Sequence, residues 1–454
     1  MTRTILPVPA RLLLLGIGAC TSETQESGRT ADVPDLNIHW SEVIPTVATV
    51  DWDSTLADGF IEFSADGATW RRIAASPGEE GQWEAVVVGM RSSATYLLRV
   101  GGSEEGEETV SAPIEATTGA APPSLPELLV VADAVTNDPG LLGLGLIGTT
   151  NWGVFVDADG QIVWWYPNPY DGRLTTRIVP SRDGRSVYMN VARSLDAESL
   201  DDFAILQVAW DGTLLATIET SVHHHDFLEL PSGELAWLSD ESRDVDGEPV
   251  HGDTVVVRSA DGTQRILWNA WDAYDYADFA PQHDFVHANA LQFDEPTGTL
   301  WIGLRNANQL LQLDPDRGTV LKRVFGMRSD YPLTVGSKPD GQHNFTVLPG
   351  GLLIHDNQDS TDLPSRLVEY TLSGDPGHAE QVWEYTSPEA YDVIGLGDAI
   401  RLSTGESLAI WSSAGVIDRV GADGVLTSSF AAGLGTAFGY GAWIDELQPA
   451  LATN

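Results

Sequence analysis

The chain has 454 residues, enough for two or three domains, and 42% hydrophobic content with 15 tryptophans supplies large cores and excludes global disorder. A formal net charge of -42 makes nucleic acid an unsuitable partner, because its phosphates are repelled. Lys322 and Lys338 are the only lysines, so nearly all positive charge is guanidinium, and an anionic substrate needs a local basic pocket inside an acidic shell.

The N-terminus carries Arg3 and Arg11, the apolar run Leu12 to Leu15, and then Ile17-Gly18-Ala19-Cys20. This order resembles a bacterial lipoprotein signal, residues 1–20, in which Cys20 becomes the lipid-bearing first residue. Cys20 is the single cysteine, so disulfides within the chain are excluded. Residues 21–35 read as a polar tether, and no later run reaches the apolar length of a membrane span. The expected location is the cell envelope, lipid-anchored on a membrane face or the cell surface.

Residues 36–117 alternate apolar and polar positions in short runs, among them Val47 to Trp52, Gly59 to Ser64 and Ala94 to Val100, with Asp66-Gly67 as a hairpin turn. The segment resembles a fibronectin type III β-sandwich with Tyr96 at its corner position, a spacer or a homodimer contact without chemistry of its own. Residues 118–127, with Pro122, Pro123 and Pro126, read as a stiff linker.

From 128 to 449 one pattern recurs: a strand, an Asp/Gly turn, and a strand rich in Val, Leu or Trp. Copies are Gly153 to Asp157 before Gln161 to Tyr166, and Ile205 to Asp211 before Thr213 to Ile218. The next are Thr254 to Asp261 before Thr263 to Trp268, and Leu310 to Asp314 before Thr319 to Phe325. Leu367 to Leu372 before Glu380 to Tyr385, and Gly415 to Asp423 before Val425 to Phe430, complete the set. Each copy follows two further strand-like runs, and four antiparallel strands at a period of about 50 residues point to an all-β, six-bladed β-propeller.

In such a toroid the first strand of each blade lines the central channel. First-strand candidates begin at His225, His287 and His343, and the next at Asp398. Antiparallel pairing of the strand from His287 with the one ending at Arg305 puts both side chains at one end of their sheet. Asp240 and the group His355-Asp356-Asn357 end second strands near the same face. Three imidazoles and a guanidinium at one mouth suit transfer of a sulfuryl or phosphoryl group. Arg305 would hold two oxygens, one neutral imidazole would attack, and a protonated one would serve the leaving oxygen. Two other readings stay open. One is a metal-dependent ester or lactone hydrolase on the histidines, although the adjacent arginine repels a cation. The other is a non-catalytic propeller that binds a protein or glycan through the aromatic stretch Trp271 to Phe279.

His225-Asp226, His287-Ala288-Asn289 with Arg305, Gln342-His343-Asn344 and Leu353-Ile354-His355-Asp356-Asn357 together resemble the bacterial arylsulfotransferase family, which works without phosphoadenosine phosphosulfate. The resemblance implies a six-bladed propeller that moves a sulfuryl group from a phenolic sulfate donor to a phenol acceptor. It implies a sulfohistidine intermediate, a ping-pong cycle and no cofactor. It makes His343 the nucleophile, Arg305 the sulfate clamp, and His225 and His287 aids to leaving-group protonation and sulfate binding, with His224 as the other candidate for the His225 position. His224, Asn289, Asn344, His355 and Asn357 are then expected to line the substrate site.

Overall fold

A computed structural model describes residues 30–31, 35–79, 81–132, 138–192 and 203–450. The expected signal, Cys20 and most of the tether lie outside them. Among the described residues the regular structure is nearly all strand, and no helix is long and apolar enough to cross a membrane.

Six sheets of the 128–449 region, antiparallel except for the short edge strand Leu333–Val335, form the blades of a propeller. The second blade runs Ile178–Pro180, Ser186–Val191, Ala204–Ala209, Leu214–Glu219, and the third His223–Glu229, Leu235–Val245, Glu248–Arg258, Gln264–Asn269. The fourth comprises Ala288–Asp294, Thr299–Leu304, Gln309–Leu313 and Val320–Phe325, the fifth Phe345–Leu348, Gly351–Asp356, Arg366–Ser373 and His378–Tyr385. The sixth comprises Asp398–Arg401, Ser407–Trp411, Val416–Val420 and Leu426–Ala432, with Leu128–Ala132 added at its outer edge.

The first blade closes the ring. Its innermost strand is the late segment Ala437–Ile444, paired antiparallel with Leu141–Ile147 ahead of Trp152–Asp157 and Ile162–Pro167. Joining the two ends of the region in one sheet removes an open edge and ties the toroid shut. The Asp/Gly turns behave as their residues require: Gly318 has φ +67°, and a Cβ there would sit 1.7 Å from the Leu267 carbonyl of the third blade.

Inside the ring, the blades are stitched to one another by buried polar groups. Arg177 joins Asp226 at 2.7 Å through Nε and donates through Nη1 to the Gly441 carbonyl at 2.6 Å. Asp226 accepts from the Leu291 N–H at 2.9 Å, and Asn289 donates to the Gln342 carbonyl at 2.9 Å. Asn344 donates to Asp398 at 3.1 Å, which accepts from the Gly441 N–H at 2.9 Å. One link therefore crosses every blade-to-blade junction. Burial pushes the Asp398 carboxyl up to about 7, against the opposing effect of Arg177.

The N-terminal region forms two sheets, one built on Ala57–Ser64, Arg71–Ala74 and Thr95–Glu104, the other on Asn37–Trp40, Ala48–Asp53 and Gln82–Val87. Trp52, Ile61, Phe63, Tyr96 and Leu98 share a core between them. The Tyr96 hydroxyl accepts from the Arg91 N–H at 2.9 Å, a tie back to the backbone just upstream. This unit docks on its own propeller: Ile44, Val47, Val86 and Val88 join the core around Trp164 and Trp210, and Arg91 pairs with Asp157 at 2.7 Å. Leu125, in the proline-containing stretch, is buried in the same core.

Candidate active site

Register brings the site residues to one mouth of the channel. Ala288 pairs with Leu304, so His287 and Arg305 lie just beyond the last pair, and the Arg305 N–H donates to the His287 carbonyl at 2.9 Å. In the third blade a bulge between His224 and Phe227 inserts His225 and Asp226. The bulge turns the His225 ring towards the axis while Asp226 joins the stitching ring. The three histidines do not occupy equivalent positions, contrary to the shared register expected from the sequence. His225 and His343 directly precede the ring residues Asp226 and Asn344, whereas His287 lies two before Asn289, and a bulge between Ala288 and Ala290 absorbs the difference.

His225 and His287 both hold left-handed backbone, φ 55° and 48°. For a residue with a Cβ this costs about 1–3 kcal/mol, recovered from surrounding structure. The His225 carbonyl is fixed by the Thr176 hydroxyl and by Asn190. His287 follows Phe285, on which Trp271 (ring centres 4.8 Å apart), Phe279 (5.5 Å) and Tyr276 (5.8 Å) pack. The aromatic stretch offered above as a partner-binding loop is thus turned inward as a buttress for the segment holding His287.

The rings converge. His225 is 4.9 Å from His287 and 6.3 Å from His343, centre to centre. Of the consecutive histidines, His225 meets the other two. His224 stands behind it, its Nε2 3.1 Å from Asp253 and its Nδ1 2.9 Å from Nδ1 of His225. His223 is fully buried and held neutral, its pKa pushed down to about 3 by burial and then by His224.

Electrostatics separates the imidazoles. Burial pulls His287 down, but its hydrogen bond to Asp284 and the nearby carboxylate charge outweigh that and hold it above its ordinary value. Burial, then the neighbouring His287, hold His225 well below its ordinary value. Burial also holds His343 well below, with Arg305 and His287 adding to the effect and the Asn357 hydrogen bond opposing it. Neutral His343 donates through Nδ1 to Asn357 Oδ1 at 2.9 Å, which leaves the lone pair on Nε2. Asn357 cannot present its amide the other way, because its Nδ2 donates to the Val393 carbonyl at 2.8 Å and the Leu396 carbonyl at 3.2 Å.

Arg305 lies close enough for its charge to depress all three imidazoles. Its Nη2 is paired with Asp359, and Nη1 donates to Asn306 at 2.8 Å. The loop bearing Asp359 is itself pinned: Asp356 binds Arg366 at 2.9 Å and accepts from the Asp340 N–H at 2.7 Å. Asp240 pairs with His251 at 2.8 Å on the long hairpin of the third blade.

Three residues expected to line the substrate site are engaged elsewhere. Asn289 and Asn344 spend their amide N–H groups in the stitching ring. His355 lies behind Asn357, against Trp411 at 5.4 Å between ring centres. Asp253, Asp284 and Asp359 were not anticipated. Asp284 alone had a local signal, three residues before His287 on the same face of the turn; Asp253 and Asp359 arrive from distant strands. Among the described residues no three His, Cys, Asp or Glu side chains are grouped to hold a metal ion.

Residues 145–394 match the family model described as Arylsulfotransferase (ASST). No curated protein matches the chain. Among solved structures, a Bacteroides caccae protein of unknown function covers 68% of this chain and 100% of its own at 12% identity, TM-score 0.44. A Staphylococcus aureus virginiamycin B lyase covers 69% and 98% at 12% identity, TM-score 0.40. The Pseudomonas aeruginosa periplasmic gluconolactonase PpgL covers 86% and 99% at 13% identity, TM-score 0.38. Likeness at this level carries no argument about chemistry.

Proposed function

The chain belongs to the arylsulfotransferase family, matched over residues 145–394, and on that premise we propose that it moves a sulfuryl group from a phenolic sulfate ester to a phenolic acceptor in two half-reactions through a sulfohistidine at His343. The observation that carries this reading is the His343–Asn357 hydrogen bond, 2.9 Å at Nδ1, beside a guanidinium. Burial keeps this imidazole neutral, and the bond at Nδ1 leaves its Nε2 lone pair free where an anionic group would be held.

In the first half-reaction Nε2 of His343 forms a bond to sulfur while the sulfur–aryl oxygen bond breaks. The bonding pair leaves on the aryl oxygen, which takes the proton of His287. Arg305 gives up Asp359 and neutralises the sulfuryl oxygens. In the second, the acceptor oxygen attacks sulfur, the nitrogen–sulfur pair returns to His343, and the acceptor proton goes to the imidazoles opposite. No cofactor enters either step. The Cys20 signal supports placing this chemistry at the cell envelope, tethered by lipid.

The test is turnover of 4-nitrophenyl sulfate with phenol. Nitrophenol release that requires phenol beyond the first turnover, survives a chelator and vanishes in His343→Asn supports the reading. Release that chelation silences, or that His343→Asn leaves intact, contradicts it.

A further inference from the structure

Behind the three converging rings stands a second layer that the reading above does not use. Asp253 enters from the third strand of the third blade and touches two elements at once. Its Oδ1 is 3.1 Å from Nε2 of His224, and its Oδ2 accepts from the Ala288 N–H, next to His287, at 2.7 Å. Nδ1 of His224 in turn meets Nδ1 of His225 at 2.9 Å, with the rings at 89°. The geometry makes one unbroken line, Asp253, His224, His225, ending at the ring that faces His287 and His343.

We propose that Asp253 is a positioning residue that acts through His224 to fix the proton arrangement of His225, making His225 the base that accepts the proton of the incoming phenol. This rests on the sulfuryl-transfer reading above. A carboxylate only accepts, so the neutral chain has one consistent order. His224 donates Nε2–H to Asp253, and its bare Nδ1 accepts Nδ1–H from His225. The lone pair of His225 is thereby left on Nε2, towards the opening.

The chain also answers a charge problem. An imidazolium at His225 would sit beside Arg305, His287 and His343 in a buried setting. With the chain in place, the acceptor O–H proton goes to Nε2 of His225 as the acceptor oxygen bonds to sulfur. The Nδ1–H proton shifts to Nδ1 of His224, and the positive charge then rests against Asp253 instead of Arg305. Return of that proton to Nδ1 lets the extra proton on Nε2 pass to His287, which gave up its own in the first half-reaction. Both rings end as they began.

Asp253→Asn is the informative variant, because asparagine keeps an oxygen for the Ala288 N–H while removing the charge. Two readouts separate the possibilities. Ring ¹⁵N spectra of histidine-labelled protein report the tautomer of His225 whether or not the enzyme turns over. The expected result is a protonated Nδ1 and a bare Nε2, lost in Asp253→Asn. A bare Nδ1 in the wild type, or the same tautomer in both proteins, overturns the proposal. In kinetics, Asp253→Asn should slow the donor-only burst of nitrophenol, whose phenolate leaves without a proton, less than it slows the acceptor step. Transfer to phenols of high pKa should slow ten- to a hundredfold, and transfer to acidic phenols, already ionised, much less. Equal slowing across acceptors overturns the base assignment. A wild type without a burst overturns the sulfuryl-transfer reading and with it the acceptor step, and the spectra still decide whether Asp253 orders the chain.

Discussion

The guanidinium of Arg305 is paired with the carboxylate of Asp359, so the cation beside the three imidazoles already holds an anion. Burial holds Asp359 above the ordinary carboxylate range even beside that partner. A sulfuryl group therefore has to replace a carboxylate, not merely occupy a vacant charge. Asp359→Asn should lower the KM for an aryl sulfate several-fold with kcat little changed, since a partly exposed pair of this kind contributes about 1 kcal/mol or less. Inorganic sulfate should inhibit the variant more strongly. Steady-state kinetics checks both, and an unchanged KM would show that Asp359 does not compete for the clamp.

Arg305→Lys keeps the charge but loses the planar fork. If two sulfuryl oxygens are held together, kcat/KM falls by about a hundredfold, in the range of losing one transition-state donor. A loss of under threefold would mean that charge alone suffices.

Asp284 is expected to keep His287 protonated for the leaving oxygen. Activity that needs this proton is lost as pH rises through the raised pKa of His287. Asp284→Asn should shift that alkaline loss to lower pH. The penalty should be largest for donors whose phenols have a pKa of about 10 and small for 4-nitrophenyl sulfate, whose phenolate leaves unaided. The same pair bears on stability. Its contribution is full below the unfolded-state pKa of histidine and disappears as pH rises through the folded value, so the variant should be destabilised at pH 5 more than at pH 9. Thermal melts at the two pH values check the sign.

Asn357→Asp places a carboxylate beside Nδ1 of His343 and favours the imidazolium, which has no lone pair for sulfur. The acid-side fall in kcat should move to higher pH. The variant should also lose about 1–3 kcal/mol of stability, because the Val393 and Leu396 carbonyls lose their donor. An unmoved pH profile in a folded variant would argue against His343 as the attacking nitrogen.

Arg177 and Asp226 carry a junction of the ring that stitches the blades, with both side chains almost fully buried. Arg177→Met removes the cation and leaves a buried carboxylate, which should cost about 3–5 kcal/mol in denaturant unfolding. The double variant Arg177→Met/Asp226→Asn should recover much of that. A single variant as stable as the wild type would deny the ring its structural role.

The blades were readable because each repeats a local grammar of strand, Asp/Gly turn and hydrophobic strand, and pairing of adjacent strands follows from it. His225, His287 and His343 were readable because each lies at or near the start of a first strand, and Arg305 because it follows the end of a second strand at the same rim. The closure of the ring was less so, since Ala437–Ile444 pairs with a strand almost 300 residues earlier and no turn connects them. Asn289, Asn344 and His355 belong to the same motifs as the site residues, and alternation along a strand cannot say which neighbour faces the opening when a bulge intervenes. Asp253 and Asp359 meet His224 and Arg305 only through the packing of separate strands and loops, which sequence spacing does not encode.

The central claim is a covalent sulfuryl group on one imidazole. Incubating the protein with aryl sulfate and no acceptor, followed by peptide mass spectrometry, tests it most directly. The account predicts a single sulfuryl adduct on the peptide containing Gln342 and His343, discharged on adding phenol. An adduct on His225 or His287, or turnover without any adduct, would contradict it.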